Sequence, residues 1–419
     1  MLISLSLIAG LTLGLTGETP ADKQERLKKA KIWFDKAQRE QSAGQVTEAI
    51  LSYSRAITLN DEYASAYNNR GNAYAAQNSN ELAISDFNHA IELEPSGANA
   101  YNNRGTVWEC LGEKARAIQD YSKAIELNSK CAVFLENRAG LLVSCSNPRA
   151  AIRDCKRALR LKPNSATANS ILGLAYYHSQ EYQLAIEAYT AALRITPNDS
   201  ISLSNRAVAY WSSKQVSAAL RDLTESIRLC SSRPYAFWLR GKIFNTLKEY
   251  DLAVSDLTWA IALDPLYLEA FKEREIARNS KGDYRGACED SQKAMELRPY
   301  DPSLVTDTGV NILKIAAKQR DTMLFRKAQS YFDRAISSDD HCSEALYFRA
   351  IMRIELGEFR EAINDLDRTI KIRNYYGAYA NRGRAKLKLG DKEGAKQDFL
   401  KTMRLDPDNK LATEGLKAL

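Results

Sequence analysis

"AYNNRGNAYAA", residues 66–76, returns in part as "AYNNRGTVW" from Ala100 and as "AYANRGRAK" from Ala378. Text that recurs at long intervals within one chain marks a repeat architecture, in which every copy builds the same small element and copies stack to share a core. The period is set by a second marker. Ala49, Ala83, Ala117, Ala151, Ala185, Ala219, Ala253 and Ala287 stand 34 residues apart, and Ala328, Ala362 and Ala395 continue the series to eleven copies. Seven residues beyond each lies another small residue, for example Ala56, Ala90, Ala124, Ser226 or Thr402, and four beyond it a larger one such as Tyr53, Phe87, Tyr121, Tyr189, Phe332 or Phe399.

Spacings of four and seven put these residues on one face of a helix, with small side chains where another helix comes close. Upstream, Tyr67, Gly71 and Tyr74 are spaced by four and three, which predicts a first helix whose glycine lets its neighbour approach. Pro95, Pro163, Pro197, Pro265, Pro299 and Pro407 stand where the second helix of a copy ends. Each repeat reads as helix, short turn, helix, stop.

Thirty-four-residue copies with this order of aromatic, small and proline positions resemble tetratricopeptide repeats, over residues 30–407 and starting near Trp33. The resemblance implies an all-α, right-handed superhelical solenoid of about eleven hairpins, whose first helices line a concave groove. It also implies a non-catalytic scaffold that binds a protein or an extended peptide in that groove. Two other roles stay open: a subunit that presents substrate to a separate enzyme, and a basic RNA-binding solenoid. Residues 1–21 read as an apolar signal-like or anchor segment, 22–29 as a charged lead-in, and 408–419 as a capping helix. The ninth repeat carries seven additional residues between Asn311 and Ala328, the tenth is one residue short near "RNYYG", and Glu275 stands where other repeats have Gly71, Gly105, Gly173 or Gly241.

The arginine of the opening motif recurs with an aspartate sixteen residues later: Arg70 with Asp86, Arg104 with Asp120, Arg138 with Asp154, Arg206 with Asp222, Arg240 with Asp256, Arg274 with Asp290, Arg349 with Asp365, and Arg382 with Asp398. Where the arginine is missing, as at Leu172 or Thr308, the aspartate is missing too, at Ala188 and Tyr331. Two choices that vary together inside one chain predict contact. The register places that contact within one hairpin, because pairing to the next repeat would set Asp154 against Leu172. A bidentate structural ion pair that fixes first helix on second is the expectation.

Asn69, Asn103, Asn137 and Asn205 precede these arginines, turned about 100° from them on the helix. An amide donates and accepts at once, which suits it to hold a peptide backbone or to bond the neighbouring repeat; the resemblance adds to the first reading, because in one enzyme with such repeats a ladder of asparagines holds substrate peptides. Asn68, Asn72, Asn99 and Asn102 extend a neutral polar floor, and Tyr177, Trp211, Tyr235 and Trp238 concentrate aromatics in repeats five to seven, to anchor a partner or to pack between repeats. The cations of a carboxylate clamp are missing, Val133 standing at one of the places they would fill.

Other chemistry has no visible seat. Seven cysteines form no CxxC pair, and His89, His178 and His341 lie far apart, so no catalytic residue, cofactor site or metal site is expected. A net charge of +7 from 59 basic and 52 acidic residues tolerates an acidic partner without requiring one, and nucleic acid is not the expected ligand. The basic helix "PRAAIRDCKRALRLKP" (148–163) lacks interleaved aromatics and reads as a solvated outer face rather than an anionic-ligand patch. Membrane contact is expected only through the apolar run near the N-terminus, which reads as a signal, an anchor or a hydrophobic helix. Export or membrane attachment and a cytoplasmic location both remain open, as does the oligomeric state.

Overall fold

The computed structural model describes residues 19–419, and these residues form helices and turns with no strand. The expected apolar segment falls almost entirely outside them. Among the described residues no helix is long and apolar enough to cross a membrane. The chain divides into two compact halves between Ala219 and Leu220, inside α12.

The first half contains five complete hairpins: α1 (Pro20–Ser42) with α2 (Val46–Leu59), α3 (Ala64–Ala76) with α4 (Asn80–Leu93), α5 (Ala98–Cys110) with α6 (Lys114–Leu127), α7 (Ala132–Ser144) with α8 (Pro148–Leu161), and α9 (Ala166–His178) with α10 (Tyr182–Ile195). It ends in α11 (Ser200–Ser212) and the start of α12 (Val216–Leu229). From α1 to α11 each helix packs on the next, and the first helices also touch one another, α3 on α5 and α7 on α9.

The second half repeats the plan with α13 (Pro234–Thr246) and α14 (Tyr250–Leu263), α15 (Leu268–Ser280) and α16 (Tyr284–Leu297), α17 (Pro302–Gln319) and α18 (Thr322–Ser338), α19 (Ser343–Leu356) and α20 (Phe359–Ile372), and α21 (Tyr376–Lys388) and α22 (Lys392–Leu405). A final short helix, α23 (Lys410–Lys417), packs on α22 and α21. Within each half, consecutive all-α hairpins packed on their neighbours are the fold.

The close approach that the first-helix glycine allows has a specific occupant. A Cβ at Gly173 would lie 2.9 Å from the Tyr189 ring, and at Gly71 it would lie 2.8 Å from Phe87. The aromatic four residues after the marker alanine therefore lies flat on the glycine backbone. Tyr53, Phe87, Tyr121, Tyr189, Phe332 and Phe399 are almost completely buried, each contributing about 1.5–3 kcal/mol by leaving water.

Every one of the eleven turns between paired helices holds one residue with positive φ, glycine at Gly44, Gly112, Gly282, Gly357 and Gly390, and a larger residue at Asn78, Ser146, Gln180, Lys214, Lys248 and Arg320. The turn geometry is thus constant while its sequence is not.

Three local departures refine the sequence reading. Residues 22–29 are the opening of α1, capped by Thr19, whose hydroxyl accepts from the Asp22 amide at 3.1 Å, and not a separate lead-in. The additional residues of the ninth repeat lengthen α17 to 18 residues and α18 to 17, against 13 and 14 in a regular hairpin such as α3 and α4. They extend the helices rather than the turn, because Asp321 caps α18 directly by accepting from the Met323 amide at 2.8 Å. The missing residue of the tenth repeat comes out of the α20–α21 linker, which is reduced to residues 373–375.

Candidate partner-binding face

The recurring arginine fastens three helices. Arg104 donates from Nε and Nη2 to the two carboxylate oxygens of Asp120, both at 2.8 Å, and from Nη1 to Asn88 Oδ1 at 2.6 Å. Asp120 is on the second helix of the same hairpin, whereas Asn88 is on the second helix of the preceding one. The two-pronged grip recurs from Arg70 to Asp86, Arg138 to Asp154, Arg240 to Asp256, Arg274 to Asp290, Arg349 to Asp365 and Arg382 to Asp398. The backward bond recurs as well, from Arg70 to Ser54, Arg138 to Ser122, Arg206 to Thr190, Arg240 to Thr224, Arg274 to Thr258, Arg349 to Asp333 and Arg382 to Asp367.

The sequence reading found the aspartate and missed this third partner. Its signal is a short polar side chain sixteen residues before the arginine, or fifteen after the shortened linker. Where Leu172 replaces the arginine, that position is Lys156, whose ammonium instead lies 5.7 Å from the centre of the Tyr176 ring. Bonding to Asp86 holds the Arg70 pKa above its ordinary value against the opposing effect of burial. With the aspartates buried, these groups are saturated within the scaffold.

The asparagines form a second continuous system, within the first half. Asn137 Nδ2 donates to Asn102 Oδ1 at 2.9 Å, Asn102 to Asn103 at 3.2 Å, Asn103 to Asn68 at 3.0 Å, and Asn68 to Asn69 at 3.0 Å. Asn69 bonds the Tyr53 hydroxyl, which donates to Gln41 Oε1 at 2.8 Å. The chain of amides crosses α7, α5 and α3 and ends on α2 and α1, with its four amide–amide bonds pointing the same way, an arrangement in which each bond polarises the next.

Of the two uses the sequence leaves open for Asn69, Asn103 and Asn137, a peptide grip or a bond to the neighbouring repeat, the second is in place. They join one hairpin to the next, because the half-buried amides satisfy one another before any ligand arrives. Each bond consumes one N–H of an amide that has two, so donors remain. Asn205 is half-buried on α11 outside this chain of bonds, and Asn381, its counterpart on α21, donates to Gly377 O at 2.9 Å and Tyr347 Oη at 3.2 Å.

The aromatics divide. Tyr177 and Trp211, in the first half, are half-buried; the Tyr177 ring lies 5.6 Å from Tyr182 across its own hairpin. In the second half Trp238 sits between Tyr235 at 5.5 Å and Tyr267 at 5.9 Å, with the Lys242 ammonium 5.1 Å from its ring centre. Trp238 packs against the core of α13, α14 and α15, and its buried Nε1 has no hydrogen-bond partner. A tryptophan so placed is a stability position: of the two roles the sequence leaves open for Trp238, packing between repeats is the one in place. Tyr235, 38% exposed, is the open member of that group. The most exposed aromatic of this region, Trp259 on α14, is on a second helix, stacked 6.3 Å from Phe237, and was not among the expected site residues.

Paired helices of this length, small-on-aromatic packing and a shared face of first helices define a helical-hairpin repeat protein. Sequence models described as tetratricopeptide repeat or TPR repeat match residues 38–78, 71–109, 98–131, 141–200, 319–379 and 376–409, together more than half of the chain. The chain belongs to the tetratricopeptide repeat family, whose members are generally protein-interaction scaffolds and typically non-catalytic.

Among curated relatives it is similar to heat shock protein STI1 of Saccharomyces cerevisiae, 35% identical over 94 residues, which are 22% of this chain and 16% of that protein. It is also similar to DnaJ protein P58IPK homolog B of Oryza sativa subsp. japonica, 28% identical over 166 residues, 37% of this chain and 35% of that one. The matches thus span about a third or less of those relatives. Among solved structures, a tetratricopeptide repeat protein from Parabacteroides merdae is 18% identical with a TM-score of 0.49, over 60% of this chain and 100% of that one.

Proposed function

We propose that this chain is a non-catalytic scaffold that holds an extended segment of a partner protein along the first-helix face of its first half. The observation that carries the reading is the amide chain from Asn137 to Asn69. It crosses three consecutive first helices, is held in place by its own hydrogen bonds, and retains unused N–H donors. Ser65, Asn72 and Asn99 flank it with further neutral polar groups, half-buried or exposed. Such a surface matches the alternating donors and acceptors of a peptide backbone and makes no demand on the charge of its side chains. In this reading Tyr177 and Trp211 supply apolar anchors farther along the same half, and Asn205 an additional amide.

The test places a photo-crosslinking residue at Ser65 or Asn72, on the first-helix face, and separately at Arg153, exposed on α8. Crosslinks to a partner polypeptide are expected from the first two positions and not from the third. With the captured partner in hand, Trp211→Ala should weaken binding about thirtyfold, the cost of an aromatic hot spot. Crosslinks confined to Arg153, or co-purified RNA removed by nuclease together with them, would sink the proposal.

A further inference from the structure

At the junction of α15, α16 and α17 the repeat rule is inverted. Where α3, α5, α9, α17 and α21 present glycine to an aromatic ring, α15 presents Glu275, and the ring position opposite is Ser291. Large and small have changed places. Both are buried, Glu275 to 8% exposure and Ser291 to 1%. The space between them is closed from the next hairpin by Asn311 of α17, fully buried, whose Nδ2 donates to Glu275 Oε1 at 2.8 Å, to Ser291 Oγ at 3.1 Å and to the Ala287 carbonyl at 3.4 Å. Asn279 Nδ2 donates to Asn311 Oδ1 at 2.8 Å, and Lys314 Nζ donates to Asn279 Oδ1 at 3.0 Å.

This network joins two hairpins, yet it contains no ion pair at its acid. The Lys314 ammonium is spent on Asn279, and the Arg274 and Arg278 guanidiniums of α15 are spent on Asp290. The charged groups that act on Glu275 are Asp307 and Lys314 of α17 and Asp290 of α16. On the other side, α13 and α14 bring Lys242, paired with Glu273, and Asp256, held by Arg240. A buried carboxylate with neutral hydrogen-bond partners and no contacting cation is costly when ionised and cheap when protonated.

We propose that the junction of α15, α16 and α17 is a proton-sensitive lock, closed when the Glu275 carboxyl is protonated and loosened when it ionises. The inference is independent of where a partner binds. Burial pushes Glu275 up to about 7, and the bond from Asn311 only partly opposes it. Burial likewise pushes Asp307, which faces the same junction, up to about 6, and lowers Lys314. Because the folded Glu275 binds its proton more tightly than the unfolded chain does, its stabilising contribution is complete below its ordinary value of 4.5 and is lost as pH rises through about 7. The lock is therefore tightest in mildly acidic solution and weakest at the alkaline side of neutrality.

The experiment is a carboxyl-carbon NMR titration of the full chain, with the Glu275 signal assigned by its absence from Glu275→Gln, alongside urea unfolding of both proteins at pH 5 and pH 8. The Glu275 signal should titrate near neutrality. The unfolding constant of the native chain should rise between the two pH values by on the order of 70-fold more than that of Glu275→Gln. Should Glu275→Gln fail to fold, the paired change Glu275→Gly with Ser291→Phe installs the glycine-on-aromatic packing of pairs such as Gly71 with Phe87 and should likewise lack that response. A Glu275 carboxyl that titrates below 5, or a substituted chain that keeps the native pH response, overturns the proposal.

Discussion

Removing Asp120 separates the energetics of the arginine clamp from those of packing. In Asp120→Ala, Arg104 keeps its bond to Asn88 but loses both partners of Nε and Nη2, and its side chain is only 20% exposed. Leaving such donors without protein partners costs about 1–3 kcal/mol. The reverse change, Arg104→Leu, strands a carboxylate that is 8% exposed and should cost more, about 3–5 kcal/mol. The double substitution removes both charges and leaves apolar side chains of the kind found at Leu172 and Ala188, where the chain itself has made the replacement and both residues are buried. Its cost should fall to about 1 kcal/mol, mainly the lost bond to Asn88. Urea unfolding followed by circular dichroism, with midpoint and slope compared across the four proteins, measures the cycle. Hydrogen exchange in α5 and α6 should locate the loss. An Asp120→Ala cost below about 0.5 kcal/mol, typical of an ordinary surface change, or a double substitution costing the sum of the singles, would refute the reasoning.

Two further outcomes follow from the backbone. Gly173→Val sets new methyl groups against the Tyr189 ring, which already lies 2.9 Å from an added Cβ, and should lower stability by about 2–3 kcal/mol in thermal unfolding; an unchanged melting temperature would mean that α9 and α10 do not approach this closely. Gln180 has φ +62° in the turn between those helices, so Gln180→Gly should raise stability by about 0.5 kcal/mol, the relief of the left-handed conformation less the greater entropy of glycine in the unfolded chain, and a loss in the same assay would count against the turn geometry.

The hairpins were legible because a repeat prints its constraints many times. One glycine facing one aromatic is a weak signal; the same pair at Gly71 and Phe87 and again at Gly173 and Tyr189 is a register. Covariation within the chain likewise identified the aspartates gripped by Arg70, Arg104, Arg138, Arg240, Arg274, Arg349 and Arg382. The backward bond escaped because its acceptor is any of serine, threonine, asparagine or aspartate, so no single letter recurs.

The face was harder to read. Position on a helix shows that Asn103 and Trp238 point away from the arginine row, but not whether a neighbouring hairpin reaches them first, and for both it does. The turns escaped for a related reason: backbone geometry is conserved across Gly112 and Gln180 while the side chain is not. Glu275 was visible only as a departure, since its compensation is split between Ser291 and Asn311 of a different hairpin.

Clamp, amide chain and lock share one property: every bond between hairpins in them joins a hairpin to the one beside it, and only the amide chain links such bonds across several hairpins. In a stack stabilised by nearest-neighbour contacts, a change in one junction alters its two hairpins and is not transmitted rigidly along the array. The arginine clamp makes most junctions insensitive to pH near neutrality, because its guanidinium does not lose its proton there and it contacts both carboxylate oxygens of the aspartate it grips. Glu275 has neither protection. A chain with clamps at most of its junctions and one titratable joint can therefore loosen at that joint while its other hairpins stay packed, so that pH adjusts the geometry of α15, α16 and α17 without dissolving the amide chain on α3, α5 and α7.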